Sequence, residues 1–71
     1  MEQHEAKGSI QVIERMMSLL DALAESQEPA TLKMLSQATG LHPSTAHRIL
    51  AVMTHARLVS RQEASTYALG I

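Results

Sequence analysis

Apolar residues recur along this chain with two periods, helical as far as about residue 56 and alternating beyond it. Projected at about 100° per residue, Val12, Ile13, Met16, Met17, Leu19, Leu20 and Leu23 fill one side of a helix. Gln11, Glu14, Arg15, Ser18, Asp21, Ala22 and Glu25 take the other side. This pattern predicts a long amphipathic helix over about 10–26, capped by Ser9. Its apolar arc spans roughly half the circumference, wider than the stripe a surface helix turns to one core. Ile10, Val12 and Leu19, at the edges of the arc, are therefore candidates for contact with a second copy or a following domain. Residues 1–8, MEQHEAKG, are polar, lack a period and end in Gly, which predicts a flexible arm before a single domain over 9–71.

The stretch SQEPA ends the first helix, because Pro29 disfavours helical geometry at Glu28 and removes a backbone donor. Thr31 can cap a short second helix over about 31–38, with Leu32 and Leu35 on its apolar face and the small Ser36 allowing close approach of a partner helix. Gly40 can turn the chain at positive φ, and Leu41 plugs the corner. Pro43 suits the first position of a third helix over about 43–56, where Ala46, Ile49, Leu50 and Met53 recur at i, i+3, i+4, i+7. Two short helices meeting at a glycine turn are the pattern of a helix-turn-helix. After Ala56, LVSR (58–61) and TYAL (66–69) read as two short strands around the polar turn 62–65, with Tyr67 and Leu69 on one face toward the helices. The expected fold is mostly α with a small β-hairpin, a winged helix-turn-helix.

With the apolar face of the third helix buried, its opposite arc falls to Ser44, Arg48, Ala51 and His55, flanked by Thr45 and His47. Hydroxyls there can bond phosphates or bases, backbone amides at a helix start favour an anion, and Arg can donate twice to guanine O6 and N7. The net charge of -1 conceals a division of the chain. Residues 1–31 hold Glu2, Glu5, Glu14, Asp21, Glu25 and Glu28 against Lys7 and Arg15, a net -4. Residues 32–71 hold Lys33, Arg48, Arg57 and Arg61 against Glu63, a net +3. Such a split permits one end to face a polyanion. The competing reading is a winged helix used for protein contact, which would more often present apolar anchors on that arc.

Seventy-one residues are too few for a second core or a deep enclosed active site. With Tyr67 the only aromatic, the core must come from aliphatic residues and five Met. The absence of Cys excludes disulfides and thiolate metal sites and suits a reducing cytoplasm. No run approaches the roughly 18 apolar residues of a membrane span. His42, His47 and His55 are five and eight residues apart, not the i, i+4 spacing that puts two metal ligands on one helix face. Ser44 and His47 lack an orienting carboxylate or an oxyanion hole. Neither a metal, a cofactor nor catalysis is expected.

The ordered set TLKMLSQATGL, STAHRILAVM, LVSR and YALG resembles the amino-terminal DNA-binding domain of the isocitrate lyase regulator (IclR) type of bacterial transcription regulators, over about 9–70. The resemblance implies a winged helix-turn-helix that binds double-stranded operator DNA as a homodimer or higher oligomer, followed by a larger effector-sensing domain absent from this chain. It implies that Ser44, Thr45, His47 and Arg48 meet the major groove and that the first helix contributes to dimer contact. Together with Thr31, Pro43 and the wing residue Arg61, these make up the expected DNA-binding set. The chain departs from the family pattern in reading His42-Pro43 where Pro-Lys is more usual, so a basic residue at the helix start is missing. Arg57 stands where the family usually has Gly, at a helix end that favours positive φ, and the wing turn is short and lacks the usual Gly and Arg.

Overall fold

The computed structural model describes the backbone of residues 3–71 and, from Ile10 onward, the side chains other than that of Ala64. The chain forms α1 (Gln3–Glu25), β1 (Ala30–Thr31), α2 (Leu32–Thr39), α3 (Pro43–His55), β2 (Val59–Gln62), a single 3₁₀ turn (Glu63–Ser65) and β3 (Thr66–Leu69). The three strands make one antiparallel sheet in the order β1-β3-β2. Three helices and a hairpin make this a winged helix-turn-helix, as the periodicities predict.

Two expectations at the amino end are corrected. α1 begins at Gln3, so Ser9 lies inside the helix and not at its cap, and the segment expected as an arm is helical from residue 3. Met1 and Glu2 lie outside the described residues. The second correction concerns Leu19, expected at an interface: it is fully buried in the domain's own core. The carboxyl half of α1 carries Leu19 and Leu23 into that core, whereas Ile10, Val12, Ile13 and Met17 on the amino half are about half exposed. At about 1.5 Å per residue, this 23-residue helix is much longer than the 8-residue α2 and the 13-residue α3, and the apolar residues of its amino half stay largely outside the core.

The core is formed by Leu19, Leu23, Ala30, Leu35, Ala46, Leu50, Met53, Val59 and Tyr67, with Met16, Leu20, Ala22, Leu32, Leu41, Ile49 and Leu58 packed around it. Each fully buried Leu, Val or Met contributes on the order of 1.5–3 kcal/mol. Every element except the 3₁₀ turn supplies at least one of these residues. Tyr67 is buried as expected, but Leu69, expected on the same face, remains 38% exposed.

The turn between α2 and α3 is held by several bonds that use the short polar side chains. Gly40 adopts φ 76° and donates its N–H to Ser36 O (2.9 Å). The Ser36 hydroxyl donates to Leu41 O, the Thr39 hydroxyl donates to Leu35 O (2.8 Å), and Leu41 N–H donates to Thr39 Oγ1 (3.3 Å). Ser36 thus locks the turn, a role beyond the small size that the spacing alone indicated. β1 was not anticipated, being two residues long and without a period of its own. Pro29 directs the chain into extended geometry, and Ala30 and Thr31 then pair with Tyr67 and Thr66.

α3 ends in a Schellman motif. Leu58 N–H donates to Met53 O (2.9 Å) and Arg57 N–H to Thr54 O (3.0 Å), while Arg57 takes φ 68°. The position that resemblance marked as wanting Gly is therefore left-handed here, with Arg occupying it. The hairpin is closed onto this junction by Gly70, whose N–H donates to Leu58 O (2.9 Å). A Cβ at residue 70 would lie 2.9 Å from Arg57 O and 3.2 Å from the Val59 carbonyl carbon, so the chain passes too close for any side chain.

Candidate nucleic-acid interface

α3 starts at a rigid point. Pro43 sits in its first turn, where the missing amide would have had no intrahelical partner, and Ala46 N–H closes the first turn onto His42 O (2.9 Å). The cap is His42: its Nδ1 accepts from Ser44 N–H (3.1 Å) and lies 2.9 Å from Ser44 Oγ. His is outside the usual set of capping residues, so no capping signal stood at this position in the sequence. Pro43 stands where the basic residue is missing, and the imidazole before it holds the first hydroxyl of the helix.

Ala46, Leu50 and Met53 anchor α3 in the core, which turns Ser44, His47, Arg48, Ala51 and His55 outward and leaves Thr45 half-buried. The arc inferred from spacing is thus the arc that is exposed. One apolar residue, Val52, also lies on the outside, 62% exposed. It borders a groove of about 540 Å³ between α1 and α3, lined by Val12, Arg15, Met16, Thr45, His47, Arg48, Ile49, Ala51 and Val52. Arg15 was unremarkable in the sequence, one charge on the polar arc of α1. The crossing of α1 over α3 places it on the same groove as Arg48, a juxtaposition no local signal could reveal.

A second groove, of about 340 Å³, lies between α1 and α2 and is lined by Ser18, Asp21, Ala22, Glu25, Ala38 and Thr39. The two grooves therefore differ in charge. Asp21 and Glu25 of α1 line the groove against α2, while Arg15 of α1 and Arg48 of α3 line the groove between α1 and α3. Between Pro29 and Gln62 there is no acidic residue at all, so the helix-turn-helix opposes no anion with a charge of its own.

The remaining candidates sit on the sheet and not on α3. Thr31 Oγ1 accepts from Met34 N–H (3.1 Å) as the cap of α2, and Thr31 pairs with Thr66 in the sheet. Arg61 is exposed on β2, opposite Tyr67 of β3, with its guanidinium carbon 5.8 Å from the ring centroid. Such a cation–π contact at an exposed site is worth about 0.5–1 kcal/mol. It steadies the arginine without neutralising it. At the tip of the wing, Glu63 opens the 3₁₀ turn, Thr66 hydroxyl donates to Glu63 O (2.8 Å), and Ser65 takes φ 57°.

A helix-turn-helix with a wing, a polar and basic outer face on its second helix and no acidic residue between 29 and 62 defines a DNA-binding domain of the kind carried by transcription regulators. The family model for the IclR helix-turn-helix domain matches residues 12–63, and the chain belongs to that family. Among solved structures, the repressor BlcR of Agobacterium tumefaciens superposes with a TM-score of 0.77 at 33% identity, over 86% of this chain and 25% of that one. An IclR homolog of Microbacterium hydrocarbonoxydans, solved with 4-hydroxybenzoate, has the same fold, with a TM-score of 0.77 at 22% identity over 84% of this chain and 25% of its own. The chain thus spans a quarter of the length of these proteins. A comparison with curated proteins gave no significant match.

Proposed function

We infer that this domain binds double-stranded operator DNA sequence-specifically, with α3 in the major groove and the wing against the backbone or minor groove. The observation that carries this reading is the exposed arc of α3, where Ser44, His47 and Arg48 stand together with no acidic residue from 29 to 62. Arg48 can read a guanine, Ser44 and Thr45 can bond phosphates or base edges, and the helix start favours a phosphate. Arg15 adds a charge on the groove beside Arg48. Thr31 and Arg61, at the start of α2 and on the wing, supply backbone contacts that fix orientation.

A second copy would meet this domain through the half-exposed apolar residues on the amino half of α1. Ile10 and Val12 remain candidates, joined by Ile13 and Met17, each about half exposed. Leu19 is replaced in this role because it is spent on the core. The likeness to the repressor BlcR supports a role in transcriptional control, and the cytoplasm is the compartment that this reading implies.

The test is the salt dependence of binding to duplex DNA. Counterion release makes log K fall with log salt by about 0.9 per phosphate neutralised, so retention on duplex should fall steeply as salt rises. A protein-contact module would show no such binding, and its partner affinity would change little with salt. Absence of salt-sensitive retention on any duplex would sink the DNA reading.

A further inference from the structure

We propose that the groove between α1 and α3 binds a small organic carboxylate with an aliphatic chain, and that this ligand displaces DNA because both need Arg48. The displacement rests on the DNA-binding reading above; the site itself does not. Each of the two helices lays a cation and aliphatic side chains along one face. Val12, Arg15 and Met16 follow at i, i+3, i+4 on α1, and Arg48, Ile49 and Val52 line the facing side of α3. Met16 and Ile49 pack against the core, whereas Val12 and Val52 are 46% and 62% exposed.

Two features of the groove point to this ligand together. Arg15 and Arg48 line it with no carboxylate among the lining residues, so two like charges meet uncompensated there. An anion in the groove relieves their repulsion. The rest of the lining is largely aliphatic, and a DNA phosphate covers none of that area. In the major groove only the thymine methyl offers an apolar contact, and a bare inorganic anion would leave Val12 and Val52 in water. A carboxylate on an alkyl chain meets both demands. Its oxygens accept from guanidinium N–H groups and the Thr45 hydroxyl, and its chain lies along Val12, Met16, Ile49 and Val52. No aromatic residue lines the groove, so methyl and methylene groups supply its apolar contacts. Its volume of about 540 Å³ lies within the range of roughly 300–1,000 Å³ found for small-ligand sites.

One guanidinium cannot serve a carboxylate and a base edge at once. Ligand and DNA therefore exclude each other at Arg48, and by linkage each weakens the other's binding by the same factor. The domain would then carry a site for an organic anion on the face that it turns to DNA.

The probe is octanoate, with acetate as the charge without the chain and 1-octanol as the chain without the charge. Methyl NMR of the 71-residue chain should show saturable shifts at Val12, Met16, Ile49 and Val52 with octanoate. The Kd should be on the order of a millimolar for so small a ligand, and acetate and octanol at equal concentration should produce little change. Val52→Asp alters an exposed position, so circular dichroism should show the fold retained, while the new carboxylate weakens octanoate about tenfold or more. Arg15→Gln should weaken it roughly three- to tenfold. In fluorescence anisotropy with a labelled duplex, octanoate at about ten times its own Kd should raise the Kd for DNA roughly tenfold, and equal acetate should not. Shifts that never saturate, or that fall on exposed Met34 and Ile71 instead, overturn the proposal. So does equal binding of octanol, or a wild type that dimerises, turns monomeric in Val52→Asp and does not answer octanoate. Octanoate binding that leaves a salt-sensitive DNA affinity unchanged overturns the competition at Arg48. If no duplex is bound in a salt-sensitive way, the DNA reading falls, and the octanoate titration alone decides the site.

Discussion

Replacing Arg57 by Gly should stabilise the domain, although it removes a charge and adds no contact. Arg57 is held at φ 68° by the bonds that end α3, Arg57 N–H to Thr54 O and Leu58 N–H to Met53 O. A residue with a Cβ in this left-handed region costs about 1–2 kcal/mol. Glycine avoids that cost but loses about 0.4–1 kcal/mol more than a side-chain residue through the freedom of its unfolded chain. Loss of a cation near the carboxyl end of a helix removes a further few tenths of a kcal/mol. The net gain over Arg is therefore small, on the order of 0.5 kcal/mol. The sharper comparison is Arg57→Gly against Arg57→Ala, since both remove the charge and only one removes the strain. Glycine should be the more stable by about 1 kcal/mol. In a domain of this size that corresponds to about 4–8 °C in Tm. Thermal and urea unfolding followed by circular dichroism would measure it, with an unchanged m-value showing that the unfolded state is the same. If Arg57→Ala were as stable as Arg57→Gly, the left-handed geometry at the helix-to-wing junction would be wrong.

Gly70→Ala should destabilise by about 1–3 kcal/mol, as overpacking does, because the new Cβ would lie 2.9 Å from Arg57 O; an unchanged Tm would refute the close approach. Leu19→Ala should cost about 2–5 kcal/mol as a core truncation, whereas Ile13→Asp should leave the unfolding curve nearly unchanged and lower the dimer fraction at a given concentration. Light scattering that finds the same mass for Ile13→Asp and wild type would remove the amino half of α1 as an interface. Arg48→Ala should cost about 1–3 kcal/mol in operator binding and relax base preference at one position of each half-site. An equal loss on every sequence would reassign Arg48 to a phosphate.

Much of the fold was legible because periodicity reports local geometry. The apolar spacing of Ala46, Ile49, Leu50 and Met53 determined which side of α3 is buried, and therefore that Ser44, His47 and Arg48 are outside. Thr31, Gly40 and Pro43 announce helix boundaries through backbone chemistry that does not depend on the rest of the molecule, and each stands at the boundary it marked. Ser9 has the same chemistry and stands inside a helix instead, since a good cap residue does not stop a helix whose preceding residues can continue it.

What lay beyond the sequence is what depends on position along a helix axis or on two distant segments meeting. A helical projection orders Leu19 and Ile13 by angle only; it carries no information on how far the neighbouring helices reach, and that reach buries one and exposes the other. The pairing of β1 with β3, the meeting of Arg15 and Arg48 on one groove, and the passage of Gly70 against Arg57 O are contacts between remote parts of the chain. The amino-acid order alone thus determined the elements, the outward face of α3 and the division of charge. The tertiary structure decided which apolar residues enter the core and where the basic groups converge. Local propensity acts within a few residues, whereas these outcomes follow from how the packed helices cross and end.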